Sequence, residues 1–289
     1  MTPRYEQAYI WGVEELRQAQ IAEADLNARL LLEYVCGTDR NTLLAHGERE
    51  ISAQENESYV NLISERKKHI PLQYLTGVQE FMGLEFYVNQ NVLIPRQDTE
   101  ILVEEVMRHL HDGMRVLDMC TGSGCILLSL LYYSNDCTGL GVDISAAALE
   151  TAGRNAEKMN AKKAAEEGKM LHAEFVQSDL FEKLDLEAFD IIVSNPPYIK
   201  SGVIDTLMQE VKDYEPLLAL DGKADGLYFY REILKQAENY LTRGGVLFFE
   251  IGYDQGQAVW EMMRAAGFAE VEVIRDFAGL DRVVYGIRV

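Results

Sequence analysis

Up to about residue 75, apolar positions recur at helical spacing: Ile10, Val13 and Leu16, then Leu26, Leu30, Leu31, Leu32 and Val35, then Tyr59, Leu62 and Ile63. No β-branched run interrupts them, so the spacing predicts a small helical bundle. Breaks fall at Gly37-Thr38-Asp39 and at His46-Gly47, and Ser52 with Glu55 forms an S-x-x-E capping box that opens another helix. Between Pro71 and Pro95 the period changes. Gly77 and Gly83 separate alternating segments such as Leu84-Glu85-Phe86-Tyr87-Val88, the pattern of a β-hairpin linking two parts of the chain. Helical period returns over Thr99 to Leu110.

From about residue 114 short apolar runs alternate with amphipathic segments. Strands are expected at Arg115–Met119, Gly139–Asp143, Ala173–Gln177, Asp190–Ser194, Gly245–Glu250, Glu270–Ile274 and Arg282–Arg288. Helices are expected near 124–134, 145–167, 203–212, 225–241 and 254–266. Alternation of this kind predicts an α/β fold with a mostly parallel, doubly wound sheet, whose ligand sits at the carboxyl ends of the strands. Three domains are therefore expected: a helical domain over 1–75, a hairpin linker over 76–95 and an α/β domain over 96–289. The charged, Ala-rich stretch Glu157 to Lys169 reads as surface without chemistry.

Charge narrows the partners. Lys and Arg number 27 against 47 Asp and Glu, a net charge of -20. The first 75 residues hold 12 acidic and 8 basic residues, so most of the excess belongs to the second half. A duplex-binding surface is usually basic, because it replaces counterions on phosphates, so direct nucleic-acid binding is not expected. Cys36, Cys120, Cys125 and Cys137 form no CxxC pair and have no His at ligand spacing, which argues against a metal site or a disulfide framework. His109 and His111 fall on an expected helix, where positions two apart would point away from each other, so metal binding by this pair is not expected. The opening MTPRYEQAYIWG lacks the basic patch and apolar run of a signal peptide, and the apolar run Cys125 to Tyr133 is too short to span a bilayer. A soluble cytoplasmic protein without a membrane partner is the expectation.

Chemistry concentrates at the expected strand ends. The first strand runs into a small-residue turn, Cys120-Thr121-Gly122-Ser123-Gly124, ahead of a helix whose free N–H groups can meet a ligand. Only G-x-G of the dinucleotide fingerprint survives, and there is no Walker lysine, so NAD and ATP lose weight. The second strand ends at Asp143, placed to accept ribose hydroxyls, with capping of the next helix as the structural alternative. The third runs into Gln177-Ser178-Asp179-Leu180-Phe181, which offers a carboxylate and an apolar wall. Acidic strand ends beside a glycine turn point to an adenosyl ligand without phosphates.

The fourth strand ends in Ser194-Asn195-Pro196-Pro197-Tyr198. Two prolines fix φ and remove two donors, so the loop presents carbonyl oxygens with little freedom. The Asn195 side-chain oxygen and the Pro196 carbonyl can accept both hydrogens of a planar NH₂ group, while Tyr198 offers a face for stacking. Such a nitrogen has its lone pair delocalised and is a poor nucleophile. Holding both hydrogens on acceptors localises that pair toward an electrophile.

The order LDMCTGSG, GVD, QSD and SNPPY resembles the class I S-adenosylmethionine-dependent methyltransferases, in the branch that methylates planar amino nitrogens. More narrowly, PLQYLTG, FMGLEFYV, VLIPRQDTEILVE, SNPPYI, YEPLLAL, DGLYFYREI and GGVLFFEIG resemble the release factor glutamine methyltransferases, the PrmC or HemK family, over essentially the whole chain. The resemblance implies a Rossmann-like seven-stranded sheet with an antiparallel last strand, preceded by a helical domain that docks a protein substrate. It also implies in-line methyl transfer from S-adenosylmethionine to the side-chain nitrogen (N5) of the Gln in the Gly-Gly-Gln motif of peptide chain release factors, with S-adenosylhomocysteine as product.

Carried over by position, Cys120, Thr121, Gly122, Ser123, Gly124, Asp143, Leu180 and Asn195 would hold the cofactor. Asn195, Pro196, Pro197 and Tyr198 would grip the glutamine amide, with Asn195, Pro196 and Tyr198 as the catalytic set and no metal. Cys120 stands where the family has glycine, and Leu180 where some relatives carry an aromatic residue.

A nucleic-acid methyltransferase acting on adenine N6, cytosine N4 or guanine N2 is the first competing reading, opposed by the acidic charge. A non-catalytic adenosyl-binding scaffold is the second, opposed by the two oriented acceptors. Arg96, Asp98 and Glu100 fit a lid or channel as well as an interdomain ion-pair network. Tyr228 and Tyr230 read as packing, and Glu250 fits either the site or a loop anchor.

Overall fold

The computed structural model of the chain describes residues 3–289, so the first two residues of the expected helical domain lie outside the described part. The described residues fold as two units, each with its own core.

The first unit runs up to Val78 and holds five helices: α1 (Tyr5–Gln18), α2 (Ala24–Cys36), α3 (Arg40–Ala45), α4 (Ala53–Arg66) and α5 (Leu72–Thr76). The predicted breaks are present, with a short helix between them. Gly37 ends α2 at φ 56, and Asp39 starts α3 by accepting the Thr42 N–H at 2.8 Å. The S-x-x-E box opens α4: Ser52 Oγ accepts the Glu55 N–H, and Glu55 accepts the Ser52 N–H at 2.6 Å. Leu16, Leu31, Leu32 and Tyr59 are fully buried in its core. A Cβ on Gly12 would fall 2.0 Å from the Tyr59 hydroxyl, so α1 and α4 meet only because position 12 carries no side chain.

Met208–Tyr214 also belongs to this unit, although it lies far along the chain. The buried Arg66 donates to Asn27 Oδ1 at 2.8 Å and pairs with Glu210 at 2.6 Å, and the Tyr214 hydroxyl donates to the Lys68 carbonyl at 2.7 Å. The helix expected over 203–212 is consequently two pieces, a 3₁₀ turn over Ser201–Thr206 and a helix over Gln209–Tyr214. Leu207, extended at ψ 163, separates them because they serve different units.

The second unit comprises Gln79–Leu207 and Glu215–Val289. Its hairpin, β1 (Val78–Phe81) and β2 (Leu84–Tyr87), turns at Met82 and Gly83, both at positive φ as a two-residue primed turn requires. There follow α6 (Gln97–His109), β3 (Arg115–Met119), α7 (Cys125–Tyr133), β4 (Thr138–Asp143), α8 (Ala146–Glu167), β5 (His172–Gln177) and β6 (Phe189–Ser194). After α9 (Gln209–Tyr214), noted above, come α10 (Leu217–Leu220), α11 (Tyr228–Tyr240), β7 (Leu241–Glu250), α12 (Gly256–Ala265), β8 (Ala269–Arg275) and β9 (Asp281–Ile287). The seven-stranded sheet has the order β5-β4-β3-β6-β7-β9-β8. Its last strand, β9, pairs antiparallel with both neighbours, and the pairs among the first five strands are parallel.

Alternation along the central strands sends residues to two cores. Val116, Ile191, Val193, Phe248 and Val283 pack with α6, α7 and the hairpin residues Phe81, Leu84 and Phe86. Leu117, Met119, Ile192, Leu247, Phe249 and Val284 pack with α11 and α12. With both faces covered, the inner stretches Val116-Leu117, Ile191-Ile192-Val193 and Val246-Leu247-Phe248-Phe249 are unbroken apolar runs. Their carboxyl ends, at Met119, Ser194 and Glu250, are where the sheet meets the candidate site.

Candidate active site

Three residues in the turn after β3 sit in the left-handed region: Cys120 at φ 66, Gly122 at 55 and Gly124 at 77. A Cβ on Gly124 would press on Leu128 at 3.1 Å and Ala152 at 3.3 Å, so this glycine is needed for helix packing as well as for backbone shape. A Cβ on Gly122 would meet no described atom within 4 Å. Gly122 lines a cavity of 290 Å³. Cys120 pays about 1–2 kcal/mol for a conformation natural to glycine. Burial pushes its thiol pKa up, with the Asp143 and Asp118 charges adding to the effect.

A buried carboxylate organises the turn from beneath. Asp118 Oδ2 accepts the Thr121 hydroxyl at 2.6 Å and the Leu127 N–H at 3.3 Å, while Oδ1 has no hydrogen-bond partner among the described residues. Burial pushes the Asp118 pKa from 3.8 up to about 7. A carboxyl held above its unfolded value favours folding most when protonated, and this contribution is lost as pH rises from about 4 through 7. Asp118→Asn keeps the acceptor for Thr121 and removes the charge. Its stability relative to the parent is expected to rise by about 2 kcal/mol or more between pH 4 and 7, measured by urea unfolding at each pH. A difference that does not change with pH would refute the assignment.

Asp143 closes the turn from the side. Its Oδ2 accepts the Gly122 N–H and its Oδ1 the Ser145 N–H, each at 2.9 Å. The cap of α8 is Ser145, which accepts the Ala148 N–H at 3.2 Å, so Asp143 supports the loop without being the helix cap. Both its oxygens retain acceptor capacity, and the residue lines the cavity. Burial raises its pKa, opposed by the backbone N–H bonds from Ser145 and Gly122.

The fourth strand end is held on several sides. The Ser194 hydroxyl donates to the Met119 carbonyl at 2.6 Å, and Asn195 Nδ2 donates to the Thr99 hydroxyl at 3.4 Å. Pro196 and Pro197 are buried. The Tyr198 hydroxyl donates to Glu250 at 3.2 Å, and its carbonyl accepts from Gln255 Nε2 at 3.0 Å. Gly222 and Gly226 back this corner so closely that a Cβ would fall 2.7 Å and 2.5 Å from the Tyr198 backbone.

Cys120, Thr121, Gly122, Ser123, Asp143, Leu180, Asn195 and Pro197 line the one cavity, together with Asp179. Gly124, Pro196 and Tyr198 do not line it. Gly124 packs against the helix, and the Tyr198 ring, expected as a stacking face, has its hydroxyl tied to Glu250.

Three further groups shape the cavity. Thr99 and Arg96 line it from α6 and the residue before it, and Arg96 is ion-paired with the buried Glu215. Asp98 pairs with Arg282 at 3.1 Å, and Glu100 accepts the Met82 N–H at 2.7 Å, so Arg96, Asp98 and Glu100 each have a partner inside the second unit. Tyr228 lines the cavity, whereas Tyr230 is buried and donates to the Glu250 carbonyl at 3.0 Å. Gln255 carries no sequence signal, because nothing in Tyr253-Asp254-Gln255-Gly256 distinguishes an anchor from a helix start.

Comparison with known proteins places this geometry. The chain is 42% identical to the release factor glutamine methyltransferase of Clostridium acetobutylicum over 91% of its own length and 90% of that protein's. The chain belongs to the release factor glutamine methyltransferases. A second member of the family, from Caulobacter vibrioides, is 38% identical over 100% of this chain and 98% of its own. The PrmC N-terminal domain model matches residues 7–77, and the methyltransferase small domain model matches 96–214. A methyltransferase structure from Pyrococcus furiosus superposes with a TM-score of 0.52 at 16% identity, covering 72% of this chain and 90% of that one, a likeness of fold. Membership makes the chain a methyltransferase.

Proposed function

We propose that the chain transfers a methyl group from S-adenosylmethionine to the side-chain amide nitrogen of the glutamine in the Gly-Gly-Gln motif of peptide chain release factors. The observation that carries this reading is the stiff corner at Asn195, whose side chain borders the same cavity as the glycine turn and Asp143. The residues fit the cofactor: Gly122 leaves its side of the turn open, Asp143 has acceptor capacity for ribose hydroxyls, and Leu180 and Ile144 supply apolar wall. When bound, the cofactor supplies a methyl group on a sulfonium, a strong electrophile.

The chain's own residues do the rest. We assign Asn195 Oδ1, on the cavity wall, to accept one amide hydrogen, and the Pro196 carbonyl, one residue on and outside the cavity lining, to accept the other from a substrate entering from that side, so that the nitrogen lone pair is held toward the methyl-bearing side. Positioning and fixed dipoles supply the rate, and no side chain acts as a strong base before attack. The buried prolines keep those acceptors from rotating away. In the first unit, Ile10 and Leu44 are 56% and 73% exposed, and we assign docking of the release factor to this helical unit. A translation factor as partner implies a cytoplasmic setting.

The test is incubation of the protein with release factors, a bulk RNA and DNA mixture and methyl-labelled cofactor, followed by mass spectrometry. Label on the glutamine of the Gly-Gly-Gln peptide is expected. Label only on nucleic acid would replace this reading by the amino-base alternative, against which the net charge of -20 already counts.

A further inference from the structure

An asparagine amide presents an oxygen and an NH₂ of nearly the same shape, and a half turn about its last torsion exchanges them. If Asn195 turns NH₂ into the cavity, donor meets donor and the substrate amide is not held. Something must choose the orientation. Building on the function proposed above, we propose that Thr99, backed by the buried Glu250, makes that choice and is a positioning residue for the reaction.

Thr99 Oγ1 lies 3.4 Å from Asn195 Nδ2 and lines the cavity beside it. A hydroxyl alone settles nothing, because it accepts as readily as it donates. Glu250 removes the ambiguity. It is 1% exposed, accepts the Tyr198 hydroxyl on Oε1 at 3.2 Å, and its Oε2 is buried without a hydrogen-bond partner among the described residues. Among the groups around Glu250, the Thr99 hydroxyl is one that favours its charged form, and Oε2 is the acceptor still free for a hydrogen from Thr99. An ionised carboxylate only accepts, so the single hydrogen of Thr99 is drawn toward it. The threonine oxygen then has only lone pairs to offer Asn195, which must answer with NH₂. Asn195 Oδ1 is left facing the substrate.

The direction of this chain starts from the charge on Glu250. Burial pushes its pKa from 4.5 up to about 7, while Thr99, Arg282 on β9 and Tyr198 pull it down and Asp98 on α6 pushes it up. Tyr230 on α11 and Cys125 on α7 also feel its charge. Below about pH 7 the protonated carboxyl becomes a donor, Thr99 can turn its hydrogen toward Asn195, and the amide loses its fixed orientation.

The test measures kcat, the KM for S-adenosylmethionine and the pH profile with a release factor as substrate, for Thr99→Val, Thr99→Ser and Glu250→Gln beside Asn195→Ala. Thr99→Val is expected to lower kcat by about 10- to 100-fold with little change in the cofactor KM. Thr99→Ser, which keeps the hydroxyl, is expected to recover most of the rate. The parent's kcat falls as pH drops through about 7, and Glu250→Gln loses that acidic limb. Full activity in Thr99→Val, or failure of Thr99→Ser to rescue, overturns the inference. Should Thr99→Val not fold, an acidic limb unchanged in Glu250→Gln overturns it equally. If Asn195→Ala itself keeps its rate, the proposed function fails. If Asn195→Ala is inactive while Thr99→Val is fully active, only the positioning role fails.

Discussion

Asn195→Ala is expected to lower the single-turnover rate of methyl transfer by about 10²- to 10³-fold, the scale on which one preorganised polar group acts in a water-poor site. The truncated side chain can no longer accept an amide hydrogen, and the Pro196 carbonyl alone leaves the nitrogen free to rotate about its remaining contact. The fold should survive. Asn195 is half-buried, and its side chain is held by the 3.4 Å contact to Thr99, worth about 1 kcal/mol or less. The measurement is transfer of labelled methyl from saturating cofactor to a release factor, with thermal unfolding and S-adenosylhomocysteine titration alongside. A variant that folds, binds the product and still transfers methyl at the parent rate would remove Asn195 from the chemistry.

Asp143→Ala is expected to weaken binding of S-adenosylmethionine or S-adenosylhomocysteine by about 100-fold, in line with loss of one to two hydrogen bonds to a charged acceptor. Two effects combine. The substitution takes away the carboxylate that would accept ribose hydroxyls, and it releases the Gly122 and Ser145 N–H groups that now bond to it at 2.9 Å. Asp143→Asn keeps one acceptor oxygen and should fall between the two proteins. Isothermal titration with S-adenosylhomocysteine measures the effect without turnover. Unchanged affinity in Asp143→Ala would show that the carboxylate serves the loop alone.

The strands of the sheet were legible because burial on both faces writes long apolar runs, and β3 in particular is found at the expected Arg115–Met119. The antiparallel last strand was legible only through family resemblance. Nothing in Arg282 to Arg288 distinguishes a reversed strand from a parallel one. The glycine turn, Asp143 and the Asn195 corner carry local signatures, since positive φ calls for glycine and two adjacent prolines mark a rigid loop. Cys120 obeys the same backbone demand without the residue that announces it.

What stayed hidden is held together across sequence distance. Thr99 reads as an ordinary residue near a helix start, and its contact with Asn195 spans 96 positions. Gln255 supports Tyr198 from 57 positions away, and the place of Gln209–Tyr214 in the first unit rests on Arg66, 144 positions before Glu210. Pairings of this kind follow from which strand ends adjoin, and no local pattern encodes them.

The central claim is that the diproline corner offers oxygen acceptors to a flat nitrogen at the mouth of the cofactor site. A crystal structure of the protein with S-adenosylhomocysteine and a Gly-Gly-Gln peptide tests it most directly. The expected result has the glutamine amide nitrogen within hydrogen-bond reach of both Asn195 Oδ1 and the Pro196 carbonyl, with its free face toward the cofactor sulfur. A glutamine bound elsewhere, or an Asn195 amide turned away from that sulfur, would contradict it.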